Sequence, residues 1–159
     1  MFKKYPILIT SVVVVLLLNS CVTKAAKTEQ AQQALQIFFE QLAQGEYAAA
    51  ADRYAGSYET LVTFNPDLDP NDYPTLWRYG CQMNGLQCLT VRTATLNELT
   101  DIGEYVFTVE FNTPDGNRFE LGACCGEEPT TPPLYQFEYR VVEGGDGQFR
   151  VLDLPVYMP

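Results

Sequence analysis

Four cysteines stand in the body of the chain: Cys81 and Cys88 seven residues apart, and Cys124 and Cys125 adjacent. They lack the Cys-x-x-Cys spacing of zinc ribbons and dithiol redox sites, so disulfides are their expected chemistry. Four cysteines allow three complete pairings. One of these needs a bond between neighbours, whose Cα atoms lie about 3.8 Å apart, shorter than the usual disulfide span. Bridges from the Cys81/Cys88 segment to the Cys124/Cys125 loop are therefore expected. The chain has no histidine, which removes Ser-His and Cys-His nucleophile pairs and histidine-ligated metals. Asp67-Leu68-Asp69-Pro70-Asn71 begins like a calcium loop. However, Asp72 stands where glycine is needed and Arg78 where a bidentate glutamate is needed, so an acidic solvated loop is expected. Glu110, Glu138, Arg140 and Arg92 alternate with apolar neighbours and read as cross-strand pairs on a wet sheet face rather than as an acid/base set. No catalytic residue, metal ligand or cofactor site is expected.

The elements that would position these groups follow from periodicity. Thr28 to Gln44 is rich in helix formers, with Leu35, Phe38, Phe39 and Leu42 on one stripe and Gly45 as its stop. A second short helix is expected from Glu46 to about Tyr54, and a third from Pro74 through Trp77 and Tyr79. Gly56 to Pro74, with Asn65-Pro66, Asp69-Pro70 and Tyr73-Pro74, reads as a turn-rich connector. From Leu89 the period becomes two, with Leu89, Val91, Thr93 and Thr95 expected on one face. Strands are also expected over Tyr105–Asn112, Arg118–Leu121, Leu134–Val142 and Gln148–Leu154. Helices first and about five antiparallel strands after them predict an α+β domain with the helices on one sheet face.

The 159 residues carry 10 Lys+Arg against 20 Asp+Glu, a net charge of −10. That balance argues against a nucleic-acid partner, whose phosphates need basic side chains. At 47% hydrophobic, the chain is also too apolar for intrinsic disorder. Its N-terminus reads Met1-Phe2-Lys3-Lys4, an apolar run Ile7–Leu18, then Asn19-Ser20-Cys21. The run is 12 residues, where a membrane-spanning helix needs about 20. The segment resembles a bacterial lipoprotein signal, matching its lipobox at Leu18, Ser20 and Cys21, with Asn19 a departure. The resemblance implies diacylglycerol on the Cys21 thiol, cleavage before it, and an exported chain anchored on the extracytoplasmic side of a bacterial membrane. The expected organisation is a signal peptide over residues 1–20, a lipidated tether over 21–27 and one α+β domain over 28–159. The mature chain would keep 8 basic and 20 acidic residues, a net charge of −12.

The helix junction "GEYAAAADRY" and the closing strand "GQFRVLDLP" resemble the nuclear-transport-factor-2-like superfamily of cone-shaped α+β domains. A cystatin-like sheet with one long helix is the alternative. The resemblance implies a pocket lined by strand aromatics, for which Tyr105, Phe107, Phe137 and Tyr139 are the candidates. It implies no catalytic residue, because histidine is absent and the first helix offers Phe38 and Phe39 where a polar group would be wanted. Two functions are therefore expected. The first is a non-enzymatic, lipid-anchored module binding a small molecule or an envelope protein. The alternative is an enzyme using a buried carboxylate in the cone.

Overall fold

A computed structural model describes the backbone of residues 6–122 and 132–158, and within these the side chains from residue 24 onward. Helix α1 spans Pro6–Gln44. It starts upstream of Thr28, and the backbone of residues 21–27, expected as a tether, is helical. Thr28 does not cap a start there, because its hydroxyl donates back to the Lys24 carbonyl at 3.2 Å, which seats a threonine inside a helix. The expected stripe is present: Leu35, Phe38, Phe39 and Leu42 are all buried, with Ala31 and Ala34 beside them. At the far end Gly45 takes a φ of 77°, and the Glu46 N–H donates to the Gln41 carbonyl at 2.8 Å, closing the helix with a left-handed residue.

Helices α2 (Tyr47–Asp52), α3 (Glu59–Phe64) and α4 (Tyr73–Gln82) follow. Helix α3 lies inside the expected connector; its six residues bury only Leu61, too short a pattern for periodicity to reveal. Helix α4 starts as expected, with Pro74 in its first turn and the Asp72 carboxylate accepting from the Thr75 N–H at 3.2 Å.

Strands β1 (Thr90–Leu99), β2 (Glu104–Asn112), β3 (Phe137–Glu143) and β4 (Phe149–Val151) form one antiparallel sheet in the order β1-β2-β3-β4. The expected fifth strand at Arg118–Leu121 is reduced to two bridges, Asn112↔Arg118 and Leu121↔Leu134, so it spans between segments instead of running along either. The last strand stops at Val151 because the chain leaves the sheet for the α4 end, where Gln87 donates to the Val156 carbonyl at 2.8 Å. Strand β1 also departs in phase. Its pairing shifts between Val91 and Thr93 and again between Leu96 and Glu98. Each bulge inserts one residue and flips the faces that follow it. Val91, Ala94 and Leu96 thus pack on the core, while Thr93 and Thr95, expected beside Val91, are exposed.

Strand β2 alternates strictly, burying Tyr105, Phe107, Val109 and Phe111. Helix α1 lies across this face. The Phe39 ring sits 4.8 Å from Phe111 and 4.9 Å from Tyr139, both edge-on. Phe38 turns to the helical layer, 5.6 Å from Trp77 and 6.0 Å from Tyr54. The protein is therefore α+β, with helices packed on one face of the sheet.

Candidate functional site

The inner face of the sheet is where the aromatic pocket is expected. Tyr105, Phe107 and Tyr139 are buried there and Phe137 is half-buried. Tyr105 meets Phe149 at 5.5 Å, and Phe137 lies 6.0 Å from Phe111 and 5.9 Å from Phe119. These rings are packed by side chains of the protein itself, chiefly Phe39 from α1 and the neighbouring strands. Burial raises the Tyr139 hydroxyl well above the ordinary tyrosine range, and also the Tyr54 hydroxyl, where Tyr58 adds to the effect. Both stay protonated at neutral pH. Tyr54 donates to the Ser57 carbonyl at 3.0 Å.

The charged strand residues lie on the opposite face. Glu110 accepts from Gln136 at 3.0 Å and Glu138 accepts from Asn97 at 3.4 Å. Arg92 donates to Asn112 at 3.3 Å. Arg140 pairs with Asp153 at 2.7 Å, and Asp153 also accepts the Arg140 backbone N–H at 2.7 Å. The Asp153 carboxylate holds the Arg140 guanidinium in its charged form, raising its pKa. None of these groups enters the aromatic core, so the strand carboxylates and that core do not form one site.

The cysteines correct the expected pairing. Cys81 in α4 bonds to Cys88, with the Cα atoms 5.5 Å apart. The turn at Gly85, with φ of 82°, folds the chain back so that the Leu86 N–H reaches the Gly80 carbonyl at 3.0 Å. That reversal brings the two cysteines together. Cys124 and Cys125 lie outside the described residues. Cys21 falls within the α1 backbone, and its side chain lies outside what the structure describes. Among the described residues, no helix is long and apolar enough to cross a membrane.

Two surface clefts were not anticipated from the sequence. One, about 490 Å³, lies between the α1 end and the start of β1, with Ala43, Cys88, Leu89, Thr90 and Pro114 in its wall. The other, about 350 Å³, is lined by Phe64, Met83, Asn84, Gly85, Tyr157 and Met158. Its residues come from three separated segments, which explains why no local motif marks it. A cluster of Tyr54, Tyr58, Tyr73 and Trp77 also escaped periodicity: Tyr58 stacks on Tyr73 at 4.1 Å and accepts from the Trp77 indole at 3.1 Å. No protein-family model, curated protein or solved structure matches the chain.

Proposed function

We propose that the protein is a lipid-anchored, extracytoplasmic module that binds a partner rather than transforming a substrate. The observation that carries the non-enzymatic half is the packing of Phe39 against Phe111 and Tyr139, which fills the inner sheet face with apolar rings. A general acid or base would have to be a polar group spared inside that space. The glutamates on β2 and β3, Glu110 and Glu138, instead meet Gln136 and Asn97 on the other face. One helix lying across a curved antiparallel sheet supports the nuclear-transport-factor-2-like reading of the fold, in which the inner sheet face, filled by Phe39, Phe111 and Tyr139, would be a closed cone.

The anchoring half rests on Leu18-Asn19-Ser20-Cys21 after a short apolar run. Two acyl chains make a stable anchor where one is marginal. Replacement Cys21→Ala is expected to abolish acylation and leave a precursor that is uncleaved or mislocalised. Mass spectrometry of the membrane fraction reads both effects. A variant still acylated and processed before residue 21 would overturn the anchoring.

A further inference from the structure

We propose that the apolar platform of Phe64, Met83, Tyr157 and Met158 docks an apolar segment of another protein that also carries Lys or Arg. The inference rests on the reading of the chain as a binding module and names the surface and the chemistry of its partner. The four side chains are 44%, 73%, 48% and 44% exposed, yet they line one cleft. Large apolar side chains gathered on a surface mark an interaction site, whereas scattered ones do not. Their chemistry suits a protein partner: two methionines supply adaptable, polarisable contact, and Phe64 and Tyr157, with rings 5.7 Å apart, supply rigid area.

The backbone beneath the platform is pre-organised. Asn65 is 7% exposed, and its amide donates to the Leu61 carbonyl at 2.8 Å and to Asn84 at 2.9 Å, clamping the end of α3 to the turn after α4. Leu86 bridges Tyr157, and the Met158 N–H donates to the Gly85 carbonyl at 3.0 Å, fixing the third segment. A platform held this way loses little conformational freedom when it binds.

Charge selects the occupant. From Gly56 to Leu89, the stretch that supplies Phe64 and Met83, the chain carries Glu59, Asp67, Asp69 and Asp72 against a single basic residue, Arg78. All four acids are exposed, and no ion pair among the described residues engages them. Asp67 follows Phe64 by three residues, in a turn closed by the Leu68 N–H on the Asn65 carbonyl at 3.1 Å. A second copy docking through the same patch would set two such acidic loops together, and an anionic membrane would repel them. A basic apolar segment gains from both features.

The test uses the full chain in nanodiscs of neutral phosphatidylcholine and three fluorescent 14-residue peptides: Leu/Lys amphipathic, Leu/Glu amphipathic and Ser/Lys. Differences between wild type and variants in the same nanodiscs cancel peptide bound to lipid. The Leu/Lys peptide is expected to bind best by anisotropy. Met83→Ser and Phe64→Ser should each weaken it by about tenfold, the loss typical of one interface anchor. Asp67→Asn with Asp69→Asn should weaken it by about threefold, and added salt should do the same to wild type. Both apolar positions are exposed, so the melting temperature is the check that the variants stay folded. Equal binding of the Leu/Glu peptide, or Leu/Lys binding indifferent to Met83 and Phe64, overturns the proposal. So does self-association in sedimentation that Met83→Ser abolishes, which would make a second copy the occupant. Acylation at Cys21 is read separately, so failure here leaves the anchored-module reading standing.

Discussion

Asp146 sits in the turn before β4 and meets Arg150 at 2.6 Å, with the Gln148 N–H donating to it at 3.1 Å. The Arg150 guanidinium, and after it the Gln148 amide, hold the Asp146 carboxyl down at about 2. A carboxylate depressed in the folded state contributes its stability in full above its unfolded value of about 3.9. That contribution is lost as pH falls through the folded value, so the window here runs from about 3.9 down to about 2. NMR titration of the Asp146 carboxyl should show a midpoint near 2, rising toward the ordinary value in Arg150→Gln; identical ordinary midpoints in both proteins would contradict the pairing. Partners like these were only half legible. That Arg140 and Glu138 lie on a wet face follows from alternation alone. That Arg140 chooses Asp153, which is 13 residues on and beyond the last strand, depends on where the chain leaves the sheet. The Cys81–Cys88 bond has the same origin: residue spacing leaves the reversal at Gly85 unseen.

Elements with a strong period were the legible ones. The stripe Leu35, Phe38, Phe39 and Leu42 and the alternation of β2 both appear as read, because each buries one side of a regular surface. Strand β1 misled because a bulge resets the face of everything after it, and nothing in Val91-Arg92-Thr93 announces an inserted residue. Helix α3 was lost among prolines. The packing of α1 yields a prediction at this scale. Phe38 is 0% exposed and packs its ring against Phe39, Tyr54 and Trp77, so it ties α1 to the helical layer, while Phe39 faces the sheet. Phe38→Ala should cost about 3–5 kcal/mol, transfer and cavity together, read from urea unfolding. Phe137→Ala should cost less, since Phe137 is half-buried at the start of β3. An equal or reversed order would mean that the Phe38 ring is not what locks α1 to the helical layer.

Across the whole molecule the dominant quantity is charge. A mature chain would carry 8 basic and 20 acidic residues, and beyond Lys27 every basic residue is an arginine. Several of those arginines are already committed: Arg118 to Glu120, Arg140 to Asp153 and Arg150 to Asp146. Lys27 is tied as well, to Glu143 at 2.7 Å, next to the point where a lipidated chain would approach the bilayer. The other four basic residues, Lys24, Arg53, Arg78 and Arg92, are set against 20 acids, so the attraction of anionic headgroups, about 1 kcal/mol per nearby free Lys or Arg, acts on a body of strong net negative charge. The acidic body should instead be held off the surface, within the reach that the proposed acyl anchor on Cys21 would set, which would leave the Phe64–Met158 platform open to a partner. A chain of residues 22–159, without Cys21, should therefore stay in the supernatant when sedimented with phosphatidylserine vesicles, at low salt as well as high. Low salt strengthens any electrostatic attraction, so binding that appears at low salt and vanishes at high salt would reveal a basic face. Binding that persists at high salt would point to the apolar platform entering the bilayer. Either result would mean that the protein surface itself holds the chain at the membrane, beside any lipid on Cys21.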